Sequence, residues 1–92
     1  MTITTKVARL EPVISGHTSE GKDWEKQIVI LRIPETERVI AIEFFGMEKT
    51  EITKELKEGD MVQATYSVFS EEYQGKWYNR VQGISIMKYQ RV

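Results

Sequence analysis

Residues 48–57 read Glu-Lys-Thr-Glu-Ile-Thr-Lys-Glu-Leu-Lys, with Ile52 and Leu56 four apart in polar surroundings. A spacing of four returns a side chain to the same face of a helix, so the stretch predicts a short amphipathic helix with one thin apolar stripe. Gly59 stands where a helix-ending C′ residue belongs. On either side the period falls to two. Residues 60–70 (DMVQATYSVFS) place Val62, Ala64, Tyr66 and Val68 on one face and Met61, Gln63, Thr65, Ser67 and Phe69 on the other. That is the alternation of a half-buried strand, with Tyr66 on the core side. Upstream, residues 38–45 (RVIAIEFF) form a strand joined to another, 24–33 (WEKQIVILRI), by the hairpin connection Pro34-Glu35-Thr36-Glu37.

Working outward, residues 3–14 (ITTKVARLEPVI) read as a first strand with Pro12 at a bend or edge, and 15–23 (SGHTSEGKD) as a flexible loop. Residues 77–87 (WYNRVQGISIM) follow a turn at Gly75 and make the last strand, with Gly83 marking a bulge or bend. Five strands with one short helix between the third and fourth are the layout of an all-β OB-fold, a small Greek-key barrel. Closure also hides strand edges that an open sheet of this size would expose. Residues 1–92 are expected to form a single OB-fold domain.

Composition narrows the function. Thirteen Lys and Arg against fourteen Asp and Glu give a net charge of −1, so bulk charge cannot hold nucleic acid and any anion site is a local patch. Residues 34–59 carry four basic and seven acidic residues, which concentrates the acids around the helix. The absence of cysteine removes disulfides, thiolate metal sites and cysteine nucleophiles. Apolar runs such as Ile28–Leu31 are too short to span a bilayer, and Met-Thr-Ile-Thr-Thr-Lys lacks a signal-peptide core. A cytoplasmic protein without membrane contact is the expectation.

Catalysis lacks its parts. His17, the only histidine, lies in the Gly/Ser loop with no local partner. Glu71 and Glu72 diverge on extended chain, and Asp60 reads as a turn residue bonding local amides. Residues 15–23 do not open a helix and fail as a phosphate loop. No metal-ligand cluster stands out. The reading is therefore no enzyme, no cofactor and no small-molecule substrate.

Two resemblances carry the inference further. The pattern Gly21-x-x-Trp24-x-Lys26-Gln27, Phe45-Gly46, Lys57-x-Gly59-Asp60 and Glu72-Tyr73-x-Gly75-Lys76-Trp77-Tyr78 resembles a family of short bacterial OB-fold proteins catalogued as a domain of unknown function. Over residues 38–88 the chain is also similar to bacterial single-stranded-DNA-binding proteins, through Phe45-Gly46, Lys57-Glu58-Gly59 and Tyr73. That likeness implies that Phe45 and Tyr73 stack on bases. Val39 stands where those proteins often carry Trp, and no acidic tail follows the last strand, so it implies strand binding rather than the full replication role.

Alternation supplies a binding face. With Ile40, Ile42 and Phe44 inward, Phe45 and Glu43 point out; with Val29, Leu31 and Ile33 inward, Trp24, Lys26, Ile28, Ile30 and Arg32 point out. Single-strand binding needs flat rings for bases and cations along the phosphates. Trp24, Phe45 and Tyr73 are expected to stack, with Lys22, Lys26, Arg32 and Lys76 meeting phosphates. DNA is favoured, with little sequence choice. So few cations and rings make a weak monomer, so a homo-oligomer is expected. The rival is an assembly module using the same rings with Ile28 and Ile30; an oligosaccharide-binding barrel is a third reading. Of the neighbours Trp77 and Tyr78, one is expected in the core.

Overall fold

The computed structural model describes residues 1–89. Six strands and one helix follow in the order β1 (Thr2–Leu10), β2 (Ile14–His17), β3 (Asp23–Arg32), β4 (Val39–Phe45), α1 (Met47–Thr53), β5 (Met61–Tyr73) and β6 (Lys76–Lys88). The sheet runs β1-β5-β6-β4-β3-β2, and a further β1–β3 pairing closes it into an OB-type barrel with β2 outside the ring. Most seams are antiparallel, but β4 meets β6 at a single parallel rung, Glu43 beside Gln82.

One strand more is present than the sequence pattern gives. The chain breaks at Glu11–Val13 around Pro12, then Ile14–His17 pairs antiparallel with Lys26–Asp23. Ile-Ser-Gly-His has no apolar alternation, because β2 lies outside the barrel and buries no face in it. The segment expected as loop from residue 15 is thus strand as far as His17, and the helix sits between the fourth and fifth strands. His17 also has a partner there: its Nδ1 contacts the carboxylate of Asp23, directly across the β2–β3 pair.

The inward face follows the period-2 reading. Val29 and Leu31 of β3, Ile42 and Phe44 of β4, and Val62 and Ala64 of β5 are buried, with Val7, Leu56 and Ile86 completing the core. Ile33 and Ile40 are half-buried, and Tyr66 packs against the core from its margin. Gly83 marks the expected irregularity: the β5–β6 register shifts between Thr65 and Tyr66. A Cβ on Gly83 would fall inside the van der Waals envelope of the Phe44 ring, so the bulge serves a close approach of backbone to core.

The helix departs from its predicted stripe. It ends at a Lys54 C-cap, so Gly59 lies in a later turn rather than at C′. Asp60 behaves as expected, its carboxylate accepting the Lys57 amide at 2.9 Å. Thr50 and Thr53 are fully buried whereas Ile52 is exposed. Small hydroxyl residues let the helix approach β3 closely and carry their own bonds. Thr50 Oγ1 donates to Glu25 Oε1 at 2.8 Å, and Thr53 Oγ1 donates to the Thr50 carbonyl at 3.2 Å. Lys54 Nζ reaches the same Glu25 oxygen at 2.8 Å.

Lys54 foremost, and then Thr50, hold the Glu25 carboxyl below its usual range against the opposing effect of burial. A depressed folded-state pKa stabilises the fold fully above the ordinary carboxylate range, and that contribution is lost as pH falls through the lowered value. Glu25→Gln is accordingly expected to melt below the wild type at neutral pH, with the gap narrowing on acidification. Melting curves at about pH 7, 4 and 3 check this; a gap that widens toward acid contradicts it.

Beyond the barrel, β5 and β6 continue as a two-stranded arm. Gln74 (φ 50°) and Gly75 (φ 79°) close it, the paired positive φ values of a tight hairpin turn whose twist matches its strands. Glu71 to Asn79 are all exposed. Trp77 is 68% exposed and Tyr78 48%, so neither enters the core. Alternation assigns them opposite faces, but at that distance no second layer among the described residues lies against either. Val68, read as core-facing, is half exposed for the same reason. The arm helps extend the molecule to 45 Å in its longest dimension.

Candidate nucleic-acid interface

The outer face of β3 and β4 carries the side chains that alternation assigns to it. The rings of Trp24 and Phe45 stack with centroids 5.9 Å apart and planes inclined by 24°. Register explains the meeting, since Lys26 and Phe45 are cross-strand partners and Trp24 is the next outward residue along β3. Gly16 of β2, opposite Trp24, makes room for the indole: a Cβ there would lie 2.5 Å from Trp24 Cζ2. Phe45 is 54% exposed. The pair is thus a solvent-facing shelf supported from behind by β2.

Lys26 links the shelf to the rest of the face. Its Nζ sits 5.9 Å from the Trp24 ring centroid and 3.3 Å from Glu43 Oε1. The other Glu43 oxygen is 3.3 Å from Arg80 Nη2 of β6, whose Nη1 is 3.3 Å from Glu71 Oε2 of β5. Glu43, which alternation places on the outer face, therefore stands between two cations.

Arg80 also marks the step onto the arm. Cross-strand partners share a face, so Phe69 with Arg80, Glu71 with Tyr78, and Tyr73 with Lys76 lie on one side of the hairpin. The contact between Arg80 and Glu43 makes that side continuous with the outer face of β4. Of the residues lining the cleft beside the hairpin, Glu71, Tyr73, Tyr78 and Arg80 belong to this side. The opposite side carries Glu72 and Trp77, so Glu71 and Glu72 diverge as expected.

Trp24, Lys26 and Phe45 thus form one cluster, and Tyr73 and Lys76 share the arm's end of the same surface. Lys22 lies in the β2–β3 turn at the Trp24 end, its amide donating to Thr18 Oγ1 at 3.1 Å. Arg32 does not join the cluster. It is exposed at the far end of β3, about 26 Å from Trp24 at 3.3 Å per residue, lining a separate cleft with Lys6, Glu35 and Glu37. Tyr78, Phe69 and Arg80 are the residues that sequence reading missed. The cross-strand register of a hairpin closed at Gln74-Gly75 is the signal that finds them.

Fold and face together define a small OB-type barrel with a solvent-facing aromatic and cationic track. Residues 2–87 match the family model described as a domain of unknown function (DUF3127), and the chain belongs to that family. Among solved structures it is similar to a small single-stranded DNA-binding protein from Streptomyces coelicolor, at 14% identity and a TM-score of 0.47. That likeness covers 97% of this chain and 92% of the other. No curated protein matches the chain.

Proposed function

We propose that this protein binds single-stranded nucleic acid, DNA in preference, with little sequence choice, along the track from Trp24 and Phe45 through Lys26 and Arg80 to Tyr78 and Tyr73. One observation carries the reading: four solvent-accessible rings and two cations lie on one continuous face, in the combination that base stacking with phosphate neutralisation uses. Lys22 and Lys76 extend the charge at either end. Stacking supplies affinity without base discrimination because every base has a π face.

Affinity per copy is modest. About four cations at roughly −0.7 each give a salt slope no steeper than about −3, so several copies sharing one strand are part of the reading. An assembly surface is the rival, favoured by the exposure of Ile14 (49%) and Val39 (53%) beside the half-buried Ile28 and Ile30.

The two tryptophans decide between these readings, because Trp24 lies on the track and Trp77 on the opposite side of the arm. Titration with an oligo-dT of about 30 nucleotides at two salt concentrations is expected to show salt-sensitive quenching of tryptophan emission. The quenching is expected to persist in Trp77→Phe and vanish in Trp24→Phe. Quenching confined to Trp77, or no binding by a stable oligomer that Phe45→Ala dissociates, would place the function elsewhere.

A further inference from the structure

The track contains its own anions at its centre. Glu43 bridges Lys26 and Arg80 at 3.3 Å on each side, and its side chain is 20% exposed, against 34% for Lys26 and 41% for Arg80. Glu71 holds the second arm of the guanidinium at 3.3 Å. The two cations between the aromatic stations are therefore both occupied by carboxylate oxygens. A phosphodiester offers the same donors the same kind of acceptor, in the same charge-assisted geometry.

Resting on the strand-binding reading, we propose that Glu43 is a built-in competitor for phosphate, holding Lys26 and Arg80 in the unbound protein and setting how tightly the track binds. Binding is then an exchange of anions. A phosphate oxygen takes the place of a Glu43 oxygen on Arg80 or Lys26, and the carboxylate turns to solvent or to the other cation. The exchange neutralises less new charge than the cation count implies, so the salt slope is shallower than that count gives. Glu71, 54% exposed on the arm, acts on Arg80 in the same sense but less strongly, because water already screens it.

The test compares wild type, Glu43→Gln and Glu71→Gln on the same oligo-dT at about 50 and 200 mM salt, with Glu37→Gln in the β3–β4 connection as a control. Glu43→Gln is expected to bind roughly three- to tenfold tighter at the lower salt, the factor that two surface ion pairs represent. Its salt slope is expected to steepen by about 0.7 to 1.4. Glu71→Gln is expected to move both readings the same way by less, and Glu37→Gln to leave them unchanged. Glu71→Gln decides alone should Glu43→Gln not fold, since it alters only an exposed residue of the arm. Binding by wild type with no tightening in Glu43→Gln overturns the competitor and leaves strand binding standing. Absence of binding in wild type and both variants overturns the two together.

Discussion

Replacing Trp24 and Phe45 together with alanine is expected to weaken binding to oligo-dT by about a hundredfold or more, while the protein stays folded. Base stacking on an aromatic side chain contributes about 1–3 kcal/mol, and two rings are removed. The rings contact each other, so the double change need not equal the sum of the singles. Phe45 is more than half exposed and outside the core, so its loss leaves the packed interior intact. Gly16→Val supplies an independent arm: the added branches meet the Trp24 indole and push it off its support without deleting either ring. Binding is expected to fall by an intermediate amount. The measurements are titrations at low salt with melting temperatures alongside; binding within about threefold of wild type in the double variant would remove the aromatic shelf from the proposal.

Gly83→Val is expected to be the most damaging single change to the fold. Phe44 is fully buried and its ring occupies the space where a side chain at residue 83 would begin. Overpacking a close-packed core costs about 1–3 kcal/mol and more where neighbours cannot retreat. Phe44 is enclosed, so the upper end of that range applies. At about 4–8 °C of melting temperature per kcal/mol for a domain of this size, the fall is roughly 10–20 °C. Phe44→Leu trims the ring, and in combination with Gly83→Val is expected to lose less than the separate changes would add up to. A melting temperature for Gly83→Val within about 3 °C of wild type would contradict the close approach.

The parts of this fold readable from sequence are those where one physical pattern acts alone. In Val29-Ile30-Leu31 and Ile40-Ala41-Ile42 each inward position alternates with an outward one, and burial follows that parity. The same rule places Trp24, Lys26 and Phe45 outward. It gives no warning of β2, whose four residues bury no apolar face in the barrel, nor of a helix held by Thr50 and Thr53 rather than Ile52. Trp77 and Tyr78 mislead for the converse reason. Large rings on a strand suggest a core, but theirs is the part of β6 that projects beyond it. Arg80 and Glu43 meet across a parallel contact between segments 37 residues apart, a pairing that local periodicity does not encode.

The single rung between β4 and β6 makes that line the barrel's weakest fastening. It has the fewest backbone pairings of any seam in the ring, and the Arg80–Glu43 ion pair spans it. A polymer laid from Phe45 to Tyr78 crosses that line and grips both banks. A ligand on the proposed track would thus lie over the seam where the two strands share the least backbone pairing.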